Sequence, residues 1–142
     1  MHTVELLPDP VLDAGIRALW DRLLAAGLPS LATHRHPTNR PHLTLHTLPT
    51  LASLPPLTLP VAAHLGPVRL LGRALVRPVA PTAELLALRP GDSWVPHISL
   101  ALNVPPPVRE AALALLADVP DAHGQFVAAR SYDTETRTVT DL

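Results

Sequence analysis

The 142 residues suffice for one domain with its own core, and 47% hydrophobic against 16% charged residues fits a folded globular chain rather than a disordered one. There is no cysteine, which excludes disulfides, thiolate metal sites and a cysteine nucleophile. The net charge is -1 and all 11 basic residues are arginine, which makes the chain a poor candidate for a high-affinity duplex binder but allows a local arginine grip on a phosphate. MHTVELLPDP lacks the basic-then-apolar pattern of a signal peptide. No run of about 18 apolar residues survives the prolines and charges. A cytoplasmic, monomeric protein with no membrane contact and no protein partner is expected.

In chain order, Thr3 to Leu7 reads as a short strand ended by Pro8. Asp9 then fits a helix N-cap with Pro10 in the first turn. Leu12, Ile16, Leu19, Leu23 and Leu24 form the apolar stripe of that helix, which Gly27 and Pro29 stop. Residues 30–41 are polar and read as a loop or edge strand. His42 to Leu48 alternates as a strand, and Pro49 to Pro56 is a connection with at most one helical turn. Leu57 to Val79 holds two strand-like runs broken at Gly66-Pro67. Thr82 to Leu88 is a short helix, Arg89 to Ser93 a turn, Val95 to Val104 a strand, and Pro105 to Val119 a second amphipathic helix. Phe126 to Tyr132 and Thr136 to Leu142 form a closing hairpin across Asp133-Thr134-Glu135. Strands and helices mix without regular βαβ alternation, which predicts one α+β domain over 1–142 with antiparallel sheet.

Two segments echo each other: Pro41-His42-Leu43-Thr44-Leu45 and Pro96-His97-Ile98-Ser99-Leu100. Side chains alternate between the faces of a strand, so His42 shares a face with Thr44, and His97 with Ser99, while the aliphatic residues face the other way. Proline cannot donate to a ladder, so each proline suits a strand's first residue. If the two strands lie side by side, two imidazoles converge on one cavity with a hydroxyl beside each. Histidine both donates and accepts protons near neutrality. One ring can take a proton from an attacking oxygen and the other can give one to a leaving oxygen. The hydroxyls can bind non-bridging phosphate oxygens as charge develops.

This pair of motifs resembles the 2H phosphoesterase superfamily, in particular the bacterial 2′-5′ RNA ligase family, also described as RNA 2′,3′-cyclic phosphodiesterases. The Trp94-Val95-Pro96-His97 lead-in, the opening strand and helix, and the closing hairpin are similar to that family too. The resemblance implies a bilobed fold with antiparallel sheets, pseudo-twofold symmetry about a central cleft, and helices on the outer faces. It implies metal-independent hydrolysis of 2′,3′-cyclic phosphate ends, or reversible 2′-5′ joining, with no cofactor. His42 and His97 become the catalytic pair, and Thr44 and Ser99 the phosphate binders. Arg40, Arg73, Arg77 and Arg130 are further candidates for phosphate or ribose contacts. Aromatics are only 3% of the chain, and bases are usually held on aromatic faces. A small cyclic nucleotide therefore suits the chain at least as well as an RNA 3′ end.

Two other readings compete. One is a non-catalytic nucleotide- or RNA-end-binding module, although binding alone does not need two proton-transfer groups. The other is a metal protein using His34, His36, His42 and His46, whose spacings are ligand-like. The second spacing needs a helix to converge, and Pro41 with the alternation after it points to a strand. His46 and Asn103 share the expected cleft face and are read as strand-end surface residues.

Overall fold

The computed structural model describes residues 1–91 and 93–142. Asp92, within the predicted Arg89 to Ser93 turn, lies outside the described residues. Strand β1 is His2–Pro8 and helix α1 is Pro10–Ala25. Then come β2 (Leu43–Leu48), β3 (Val61–Leu65), β4 (Arg69–Leu71) and β5 (Ala74–Pro78). Helix α2 (Ala83–Ala87), β6 (His97–Ala101), α3 (Pro106–Leu115), β7 (Ala122–Asp133) and β8 (Thr138–Asp141) complete the chain. The fold is α+β, as the order of the predicted strands and helices implies.

The start of α1 shows how the sequence writes its own boundaries. Pro10 has no N–H to lose in the first turn, and Asp9 supplies the cap. Its Oδ1 accepts the Leu12 N–H at 2.9 Å, and its Oδ2 accepts the Gln125 N–H at 2.8 Å. One carboxylate thus caps the helix and ties it to β7. The helix buries Leu12, Ile16, Leu19, Trp20 and Leu23. The predicted stripe placed Leu24 inward. It is 45% exposed, and Trp20 takes the inner position, sending its Nε1–H to the Ser99 carbonyl at 3.2 Å.

The strands form one antiparallel sheet in the order β3-β7-β1-β2-β6-β5-β4, with β8 also on β7. The 12-residue β7 carries β1 along one edge, while β3 and β8 share the other. The sheet curls into a half-barrel. At its rim Leu65 bridges Val79, Gly66 donates to the Pro78 carbonyl at 2.8 Å, and Ala80 donates to the His64 carbonyl at 2.9 Å. Buried Arg77 fastens this rim. It donates to the carbonyls of Gly66, Leu65 and Pro120 at 2.8, 3.1 and 3.0 Å. Burial holds its proton affinity below the usual value, and Asp121 opposes that drop. Arg77, a candidate phosphate contact from sequence, is therefore a structural clamp.

Alternate strand positions build the core: Val4 and Leu6, Leu43 and Leu45, Ile98 and Leu100, with Leu75, Ala63 and Phe126. Each is essentially inaccessible, and burying one such aliphatic side chain contributes about 1.5–3 kcal/mol. Boundaries moved where backbone chemistry overrides the apolar pattern. The predicted two runs in Leu57 to Val79 are three strands, because Gly72 at φ 59° turns β4 into β5. The strand expected to reach Val104 stops at Ala101, before Asn103 at φ 49°. The closing hairpin starts earlier, at Ala122, and turns through Arg137 at φ 57°. No helix among the described residues is long and apolar enough to cross a membrane.

Two predictions follow from the α1 entry. A Cβ on Gly124 would lie 2.5 Å from Asp9 Oδ2 and 2.7 Å from Leu12 Cδ1. Gly124→Ala should therefore lower stability by about 1–3 kcal/mol, read from the urea midpoint at unchanged m. The Asp9 carboxyl is held below its ordinary value of 3.8, chiefly by the Leu12 N–H; burial opposes this, and the Gln125 and Val11 N–H groups add to it. A group whose folded value is depressed stabilises above its unfolded value and loses that contribution as pH falls through it. The stability gap between the parent protein and Asp9→Asn should be full at neutral pH and close in acid, measured by thermal melts down the pH scale.

Candidate active site

The two echoed segments meet. Strands β2 and β6 pair antiparallel with Leu43 opposite Ile98, and both side chains are fully buried. Continuing that register by one residue sets Ser99 across from His42 and His97 across from Thr44. Residues directly opposite share a face, and the diagonal pair sits roughly 7–8 Å apart. His42, Thr44, His97 and Ser99 therefore occupy one patch on the face opposite the core. Pro41 and Pro96, which precede the two histidines, are both buried.

The histidines are anchored alike. His42 Nδ1 lies 2.7 Å from the Arg40 carbonyl, and His97 Nδ1 lies 2.8 Å from the Val95 carbonyl. A carbonyl only accepts, so Nδ1 carries the proton in both rings and Nε2 is left for chemistry. The anchor is the carbonyl two residues earlier in each case, a local consequence of the shared Pro-His turn into a strand.

A cavity of about 310 Å³ opens over one side of this patch. Trp20, Leu31, His34, His36, Arg40, His42, Thr44 and Ser99 are among its walls, and His97 is not. His97 stands half-buried on the same face, beyond Thr44. Arg40 is half-buried, and its Nε is buried with no hydrogen-bond partner. A guanidinium in a cavity wall is suited to an anion. The loop that carries Arg40 is itself tied down: Ser30 Oγ donates to the Trp20 carbonyl at 2.6 Å and Asn39 Nδ2 to the Leu31 carbonyl at 3.1 Å.

Arg130 is placed differently from the sequence expectation of a substrate contact. Its Nε donates to Glu5 Oε2 at 2.8 Å and its Nη2 to the Thr38 carbonyl at 2.6 Å, and it is 5% exposed. It does not line the cavity. Arg73 is exposed at the β4–β5 turn. His46 sends Nε2 to the Leu88 carbonyl at 3.0 Å, a tie between β2 and α2, and Asn103 sits exposed in the turn after β6. His34 and His36 stack at 6.0 Å, and His36 meets Tyr132 edge-on at 5.0 Å. Among the described residues no three His, Asp or Glu side chains are grouped as metal ligands.

Sequence reasoning missed Glu5. It pairs with Thr44 on one side and Arg130 on the other, within β1. It is 3% exposed, and its Oε1 lies 3.7 Å from His42 Nε2. Its one signal was a lone carboxylate inside the apolar run Val4-Glu5-Leu6-Leu7, where a charge is almost never buried without a partner. No family model matches this chain, and no curated protein matches it.

The Glu5–Arg130 pair sets a stability prediction. Arg130→Met leaves a buried carboxylate without its cation, which typically costs about 3–5 kcal/mol. A large drop in thermal midpoint is expected. A midpoint within a degree of the parent would mean that the pair contributes nothing.

Proposed function

We propose that this chain is a metal-independent phosphodiesterase of the two-histidine type, acting on 2′,3′-cyclic or 2′-5′ linked nucleotide phosphates, and that it belongs with the 2H phosphoesterases. The observation that carries the reading is the placement of the two Pro-His-aliphatic-hydroxyl-Leu segments on neighbouring antiparallel strands, with matching anchors at Arg40 and Val95. On this reading the two halves of the sheet are lobes related by a pseudo-twofold axis near Leu43 and Ile98, with the cleft between them. The enzyme works as a cytoplasmic monomer without a cofactor.

The chemistry follows from the patch. For a 2′,3′-cyclic phosphate, Nε2 of one ring takes a proton from water as its oxygen attacks phosphorus. The P–O3′ bond breaks, and Nε2–H of the other ring gives its proton to the leaving oxygen. The product is a 2′-phosphate with a free 3′-hydroxyl. Thr44 and Ser99 donate to the non-bridging oxygens, and the Arg40 guanidinium in the cavity wall adds its positive charge beside them. Phe126 and Tyr132 are buried, and Trp94 lies under the Arg89 guanidinium at 5.3 Å, so the chain presents little aromatic surface to a row of bases. That supports a small cyclic nucleotide over a long RNA.

One observation favours the alternative of a binding module without turnover: His97 does not line the cavity that His42 lines. The test decides between them. Hydrolysis of 2′,3′-cyclic nucleotides, and of a short RNA with a 2′,3′-cyclic end, is followed in EDTA. Turnover to the 2′-phosphate is expected, with a loss of about 10²–10⁴-fold in each of His42→Ala and His97→Ala. Turnover that survives either substitution would sink the two-histidine assignment. Tight binding of the 2′-phosphate without turnover would establish the binding module.

A further inference from the structure

The two histidines share their anchors but not their surroundings. His97 has the Val95 carbonyl at Nδ1 and no carboxylate paired with its ring among the described residues. His42 has the Arg40 carbonyl at Nδ1 and, 3.7 Å from Nε2, the buried Glu5 carboxylate. A buried carboxylate is costly to keep, and nothing in the proton transfers above uses this one.

We infer that Glu5 is a positioning residue for His42, set in place by Arg130, and that it acts only through that ring. The inference rests on the two-histidine reading. Glu5, Thr44 and Arg130 lie in one transverse row of the sheet, so the backbone register fixes where the carboxylate starts. The bidentate use of Arg130 fixes where it ends: one nitrogen holds Glu5 Oε2, and another holds the Thr38 carbonyl. That leaves Oε1 turned toward His42. The Thr38 carbonyl also accepts the Arg40 N–H at 2.7 Å, so the same guanidinium holds the segment that supplies the Nδ1 anchor. Arg130 therefore bears on the His42 ring twice, by placing the Glu5 charge and by holding the Thr38–Arg40 segment that anchors Nδ1. The Nδ1 hydrogen bond sets the ring's orientation, and Oε1, at 3.7 Å and beyond hydrogen-bond reach, acts on the ring as a nearby charge that leaves Nε2 free. The ring thus has a counter-charge nearby whenever it carries the extra proton during the reaction, as a buried carboxylate provides for a catalytic histidine elsewhere. Glu5 is not among the residues that line the cavity, and at 3% exposure it is shut away from solvent.

The test is a double-mutant cycle on cyclic nucleotide hydrolysis. Glu5→Gln keeps the shape and removes the charge. Its kcat should fall roughly 10- to 100-fold with KM within about twofold, because a misplaced group costs chemistry rather than ground-state binding. In a His42→Ala background the same change should cost nothing further. In a His97→Ala background it should cost its full factor. If the single variant fails to fold, Glu5→Gln with Arg130→Gln removes both buried charges at once, and the same cycle is run from that pair. Equal loss in both histidine backgrounds would overturn the inference and make Glu5 a structural residue. So would a loss seen in KM alone, or no loss at all. A parent protein that turns over no cyclic phosphate would overturn the two-histidine reading itself, and this inference with it.

Discussion

The contact of Leu43 with Ile98 is the constraint on which the rest depends. Both side chains are at zero exposure, at the middle of a short antiparallel contact between two strands distant in sequence. The strand period of two does the rest. With those two side chains in the core, the residues on either side must face the opposite way, and those are His42, Thr44, His97 and Ser99. A slip of either strand by one residue would bury its two polar side chains and expose its two aliphatic ones, so the hydrophobic core enforces the register of the polar patch. The site is thus a by-product of core packing.

The second constraint is electrostatic. The register between β1 and β2 shifts by one residue between Val4 and Glu5. Without that irregularity Glu5 would pair with Leu45. With it, Glu5 pairs with Thr44 and stands in line with Arg130. Bulges re-aim side chains next to functional sites, and here one joins a carboxylate to the row that holds Thr44 and His97. The same guanidinium that neutralises Glu5 also holds the loop bearing Arg40. Strand β7, strand β1, the 30–41 loop and His42 are therefore one connected unit, and the helix cap at Asp9 fixes α1 to the same strand.

The polar loop from residue 30 to 41 shows where local pattern runs out. Its composition gives no period, and the sequence offered a loop or an edge strand. The structure gives one short helical turn at Leu31–Thr33 and then a coil that walls the cavity. What holds it is long-range: Arg130 to the Thr38 carbonyl, and Ser30 to the carbonyl of Trp20. Trp20 was likewise hidden. The apolar stripe put Leu24 inward, yet the larger ring at position 20 takes the buried place because its N–H finds the Ser99 carbonyl.

The sequence by itself determined the α+β class, the Asp9-Pro10 helix start, the two Pro-His-aliphatic-hydroxyl-Leu strands and which of their residues share a face. These depend on short-range chemistry: proline's missing N–H, aspartate's capping oxygen and the alternation of a strand. Tertiary structure alone decided that the two strands are neighbours and in what register, that Arg130 is spent on Glu5 while Arg40 lines the cavity, that Arg77 is a clamp, and that Glu5 lies beside His42. Each of these is a pairing between residues far apart in the chain. Pairings of that kind are set by how the whole sheet curls and closes, which no local pattern encodes.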